Sequence, residues 1–146
     1  HVRKVLARQA LEQGAETLAI LDIPQEPSPG QRVRTLAAVR SLSPCGRGQV
    51  LSCVAQLNSD PDRILEGAAT SPGELRKLMI AHGLLSSPAL IIMDEPTNHL
   101  DVHSVEALEQ ALAQFGGALL LVSHDRAFLS ACTSATWEIE GGKLHR

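Results

Sequence analysis

Apolar positions recur at two spacings along this chain, and the switch between them divides it. Residues 2–13 read as a helix, with Val5, Leu6, Gln9 and Ala10 near one face and Gly14 closing it. Residues 18–22 form a short apolar run that ends in the proline-rich break "IPQEPSPG". From 31 to about 85 the spacing is helical throughout. Val50, Leu51, Val54 and Leu57 make one stripe, Asp60-Pro61 starts the next helix, and Leu75, Leu78, Met79, His82 and Leu85 make another. The texture then changes. Residues 89–93 are continuously apolar, as in a parallel strand covered on both faces. Val102, Val105, Leu108, Leu112 and Phe115 form a helical stripe that stops at Gly116-Gly117, and residues 118–122 read as a second buried strand. Strand, helix and strand make a βαβ unit with a right-handed crossover. "WEIEGGKL" reads as a hairpin turning at Gly141-Gly142.

Composition narrows the class. A chain of 146 residues with 44% apolar content suits one domain with a buried core. The aromatic share is 2%, with no tyrosine, so aliphatic side chains must do the packing and base-stacking platforms are disfavoured. A formal charge of -3, with scattered arginines, gives no basic field for direct nucleic-acid binding. Cys45, Cys53 and Cys132 lack metal-ligand spacing and read as reduced thiols of a cytosolic protein. No apolar run approaches a membrane span, so no direct membrane insertion is expected, and no signal-peptide pattern opens the chain. The first residue is His1 rather than Met, which is expected of a piece of something longer.

"IIMDEPTNHLD" sets the chemical question, because it places adjacent carboxylates, Asp94 and Glu95, directly behind an apolar strand. If the two strands of the βαβ unit are neighbours, Asp94-Glu95 and Ser123-His124-Asp125 emerge side by side at the carboxyl edge, where open α/β sheets bind ligands. A pair of solvated polar loops explains the same placement equally well. "TSPGELRKL" adds a second signal. Ser71 as N-cap, Pro72 at the first helical position and Glu74 at the third form a capping box, which alone is only a helix start. Gly73 is the surplus residue: glycine weakens a first turn unless something must approach the backbone closely. A helix N-terminus with free N–H groups and no side chain at that point suits a phosphate.

Together these stretches resemble the ATP-binding cassette (ABC) ATPases. "SPGE" is similar to their signature motif, "ALIIMDEP" to their Walker B strand, "TNHLD" to their D-loop, "LLLVSHDRAFL" to their switch histidine and "ILDIPQEP" to their Q-loop. "DEPTNHLD" followed by "SHDRAFL" resembles the ABC-F branch, soluble twin-cassette proteins of which many act on the ribosome. The resemblance runs from about residue 18 to 144. It departs in two places: Asp22 or Ile23 stands where an aromatic residue often precedes the Q-loop glutamine, and Pro72 stands where glycine is more usual.

The resemblance implies an α/β, P-loop NTPase-like cassette: a parallel sheet (1–29 and 86–146) with an inserted helical subdomain (30–85) carrying the signature motif. It implies cytoplasmic hydrolysis of ATP with Mg²⁺. Asp94 would hold the metal through its water shell, and Glu95 would orient and polarise the attacking water. His124 would contact the γ-phosphate, and Gln25 would touch metal or water. Ser71 and Gly73 would bind the γ-phosphate of ATP held by a second cassette, and Asp101 would link the two sites across that interface. The chemistry agrees, because phosphoryl transfer needs positioning and charge stabilisation around metal and water.

Other readings of these residues are weaker. His99, Asp101 and His103 could be drawn as a metal cluster, but no further ligand has a matching position. His82 reads as a core residue, His1 and His145 as terminal residues without signal, and Arg76-Lys77 as a solvated helix edge. No Gly-x-x-x-x-Gly-Lys followed by Ser or Thr occurs in the sequence, and an adenine-stacking aromatic is missing upstream. Truncation just after the phosphate loop, leaving the fragment inactive by itself, is the simplest expectation. A naturally degenerate cassette is the alternative account of the missing loop, and for function the alternatives are a non-catalytic regulatory half that donates "SPGE" to a partner and the motor of a membrane transporter.

Overall fold

The computed structural model describes residues 19–66, 70–141 and 143–145. The expected helix over 2–13 lies outside them, as does Leu18. Among the described residues eleven elements follow in chain order: β1 (Ile20–Ile23), α1 (Pro29–Ser41), α2 (Pro44–Gln56), α3 (Pro61–Glu66), α4 (Pro72–Leu85), β2 (Leu90–Asp94), α5 (Val102–Ala113), β3 (Ala118–Val122), α6 (Arg126–Cys132), β4 (Glu138–Glu140) and β5 (Lys143–His145).

The helical stretch is cut by its own start signals. Ser28-Pro29, Ser43-Pro44 and Ser71-Pro72 each place an N-cap serine before a proline at the first helical position. The serine accepts an otherwise unpaired N–H, and the proline has no N–H to leave unpaired. Asp60 does the same for α3, accepting from the N–H groups of Asp62 and Arg63 at 3.0 and 3.4 Å.

The three longer strands form one parallel sheet in the order β1-β2-β3. Ile23 pairs with Met93 and Asp94 with Val122, so all three strands end at the same edge. The helix between β2 and β3 completes the expected βαβ unit. β4 and β5 form the expected antiparallel hairpin, with Gly141 in its turn at φ +55°. β2, in the middle, buries Ile91 and Met93 completely. β3 departs from the expectation of a strand covered on both faces, because Ala118 and Val122 are exposed and the residues between them are only partly buried. The reason is position: among the described strands β3 is an edge, and one side faces an open groove of about 850 Å³ that reaches Trp137 and Ile139.

Two apolar clusters flank α4. Leu75, Met79 and Ile80 pack with Ile23, Ile91, Met93, Leu108, Leu112 and Phe128 under the sheet. Leu78 and Ala81 pack with Leu36, Val39, Val50, Val54 and Ile64 from α1 to α3. α4 is therefore buried on nearly every side, which is why its sequence is apolar around the helix rather than along one stripe. Gly83 lets it lie directly against β1: an added Cβ would come within 2.3 Å of Leu21. Leu85 is exposed at 38% and His82 is only partly buried, so the stripe read from the sequence turns outward at its end.

Candidate functional site

The shared strand edge gathers the predicted residues. Asp94 closes β2 and is exposed, and Glu95 follows it in the left-handed region at φ +46°. The Glu95 N–H donates to the Val122 carbonyl at 2.8 Å, tying the acid turn to the end of β3. Two residues beyond Val122, His124 places Nε2 3.6 Å from Glu95 Oε1, an ion pair whenever the imidazole is protonated. The Glu95 side chain is only 14% exposed whereas that of His124 is fully exposed, so the acid is held and the histidine is presented. Gln25 lies exposed in the bend after β1, at the same edge.

The signature turn lies on the other side of this loop. Ser71 and Glu74 form the expected capping box: the Ser71 hydroxyl accepts from the Glu74 N–H at 3.2 Å, and the Glu74 carboxylate accepts from the Ser71 N–H at 2.7 Å. The N–H from Ser71, above all, holds the Glu74 carboxyl below its ordinary range. Gly73 is buried, and what comes close to it belongs to the chain itself: an added Cβ would stand 2.9 Å from the His99 carbonyl oxygen. A cleft of about 410 Å³ opens at this helix start, lined by Ser71, Gly73, Arg63, Lys77 and Asp101 among others.

Asp101 is the N-cap of α5, accepting from the Ser104 N–H at 3.0 Å and the Ser104 hydroxyl at 2.6 Å. Asn58 donates to it at 3.1 Å, and Lys77 Nζ stands 3.4 Å away. The Ser104 hydroxyl first, then the Ser104 N–H, Asn58 and Lys77, hold this carboxyl far below the usual carboxylate range. With Asp101 so engaged, the metal cluster of His99, Asp101 and His103 does not form, and among the described residues no group of three His, Cys, Asp or Glu could hold a metal ion.

One reading from the sequence is overturned here. Arg76 and Lys77 are 1% and 5% exposed, not a solvated edge. Arg76 Nη2 donates to the carbonyls of Asp94 at 3.1 Å and Glu95 at 2.9 Å, and Nη1 to that of Asn98 at 3.2 Å. Lys77 donates to the Asn58 carbonyl at 3.3 Å. Burial lowers the Arg76 pKa, and the nearby Asp94 and Glu95 oppose that shift. The available signal was spacing: "LRKL" lies inside a helix whose apolar residues leave no free face.

This parallel sheet, with an acid pair, a histidine and a capped glycine turn around one loop, has the fold of an ATP-binding cassette. Solved structures share this fold. An ATP-binding subunit of an ABC transporter superposes with a TM-score of 0.54 at 24% identity, covering 78% of this chain and 52% of that one. An archaeal ribosome recycling factor, aABCE1, solved with the ribosomal stalk protein aP1, gives 0.56 at 22% identity over 86% of this chain and 26% of that one. No family model matches the chain.

Sequence relatives make the assignment finer. ATP-binding protein Uup of Escherichia coli (strain K12) is 38% identical over 91 residues, which are 62% of this chain and 14% of that protein. The energy-dependent translational throttle protein EttA of Mycobacterium tuberculosis is 47% identical over 75 residues, 51% of this chain and 13% of that protein. YfmR of Bacillus subtilis, an uncharacterized ABC transporter ATP-binding protein, is 45% identical over 75 residues, covering 51% and 12%. Over about half its length the chain is therefore similar to ATP-binding proteins of the ABC-F family. It spans about a seventh of the length of the Uup protein it matches.

Proposed function

We propose that this chain is part of a cytoplasmic ABC-F cassette that hydrolyses ATP together with a second cassette and couples their closure to a macromolecular partner, the ribosome. The observation that carries the reading is the unequal setting of the two acids: Asp94 exposed at the end of β2, Glu95 mostly covered and aimed at His124. The donors suit Mg²⁺, a hard cation that keeps several waters and needs one or two carboxylates. Bound there, it would neutralise charge developing on the phosphates. Asp94 would hold the metal's water shell, and Gln25, in the bend after β1, would reach the same metal or water. Glu95 orients and polarises the attacking water, and His124, fully exposed beside it, contacts the γ-phosphate. Across the interface, Ser71 and Gly73 offer a helix N-terminus to ATP held by the partner cassette, and Asp101 connects the two sites. The cleft at that helix start carries Arg63 and Lys77 beside the carboxylates of Asp60, Glu74 and Asp101, so what it offers an anion is the helix N-terminus rather than a basic wall.

We further propose the division into a sheet core (1–29 and 86–146) and a helical subdomain (30–85). The ribosome enters through the relatives. A translational throttle protein matches in sequence, and a ribosome recycling factor shares the fold.

The two acids test the reading in the full-length protein. Glu95→Gln keeps shape but removes the charge that polarises water, so single-turnover hydrolysis falls ~10²-fold or more while ATP and Mg²⁺ still bind. Asp94→Asn instead weakens Mg²⁺-dependent ATP binding. Equal losses of affinity and rate in both variants would overturn this division of labour.

A further inference from the structure

Arg76 enters the acid turn from below. It is 1% exposed and leaves α4 beneath residues 94–98. Its Nη2 donates to the carbonyl oxygens of both Asp94 and Glu95. Those oxygens mark the two peptide planes that flank the Glu95 Cα, and fixing both planes fixes φ, ψ and the direction of the Cα–Cβ bond. That direction is unusual, because Glu95 sits at φ +46°, where an L-residue is disfavoured. Nη1 closes the fork on Asn98, whose own N–H donates to the Glu95 carbonyl at 3.2 Å.

We propose that Arg76 is a positioning residue for ATP hydrolysis, clamping the peptides on either side of Glu95 so that its carboxylate faces His124 and follows the movement of the signature turn. The inference rests on the ATPase reading of Glu95 given above. Arg76 lies five residues after Ser71 on one helix, so a phosphate that pulls or tilts the start of α4 moves the guanidinium with it. The signature turn of one site and the water-orienting acid of the same chain are thereby joined by a single side chain. Lysine cannot replace the fork, since one ammonium lacks the planar spread that reaches Asp94, Glu95 and Asn98 together.

The test uses the full-length protein with Arg76→Met, Arg76→Lys and Glu95→Gln. Three quantities are read: ATP affinity, single-turnover hydrolysis rate, and hydrogen exchange at the amides of Glu95, Asn98 and Leu100, each of which makes a backbone bond in the loop. Arg76→Met lowers the rate ~10²-fold and Arg76→Lys ~10-fold, as expected for a reacting group misplaced by about an ångström, with ATP affinity within ~2-fold of wild type. Exchange at the three amides speeds up in both variants. A variant that melts earlier yet keeps the wild-type rate per folded molecule and wild-type exchange in the loop overturns the proposal. If Arg76→Met does not fold, Arg76→Lys decides by the same measures. Should Glu95→Gln hydrolyse ATP normally, the ATPase role of Glu95 falls, and loop exchange still reports whether Arg76 sets the turn.

Discussion

Gly73 and Arg76 stand on the same helix and serve the same loop from opposite ends. Arg76 holds the acid turn through its carbonyls, and Gly73 leaves room for His99, which is itself left-handed at φ +62°. Gly73→Ala puts a methyl 2.9 Å from the His99 carbonyl oxygen, too close for either backbone to ignore. The variant is expected to lose ~1–3 kcal/mol, measured by urea unfolding without nucleotide. Wild-type stability would show that the loop moves aside freely. The sequence showed that Gly73 was out of place in a first helical turn, but not which backbone would approach it. Arg76 was harder to read, since an arginine between apolar residues looks the same whether it snorkels to water or is buried against carbonyls.

Helix starts were the most legible elements. The capping box at Ser71 and the N-cap at Asp101 are local chemistry, written within four residues. The break between α1 and α2 was equally well written, in Ser43-Pro44, yet it disappears when only apolar spacing is followed. Asp101 shows what remains hidden: its helix cap is local, whereas Asn58 and Lys77 reach it from elsewhere in the chain. Because these contacts depress its folded pKa, Asp101 adds stability above the unfolded value of ~4, and that stability is lost as pH falls below it. Asp101→Ala is expected to cost ~1 kcal/mol or more near neutral pH, with the gap to wild type narrowing as the buffer is taken below pH ~4. Denaturant melts across that range check it, and a gap independent of pH would assign the effect to packing alone.

At the scale of the whole molecule, the α/β class, the βαβ unit and the carboxyl-edge placement of the acids were all readable, because strand, helix and strand repeat at spacings fixed by geometry. The exposure of β3 was not, since a strand's apolar run does not say whether a neighbour covers it. The 146 residues hold no Gly-x-x-x-x-Gly-Lys segment followed by Ser or Thr, so this chain alone is expected to bind ATP weakly and to hydrolyse none above background. Calorimetric titration showing tight binding by these residues would mean that the strand edge supplies a phosphate cradle of another kind. The position of α4 between the two apolar clusters reaches further than stability. Its residues answer to both clusters, so the helices around it and the sheet beneath it cannot change independently over generations. A segment such as 29–66, exchanged with a relative by recombination, must be accepted by a helix already fitted to the sheet, so such an exchange is expected to succeed only when that helix travels with it.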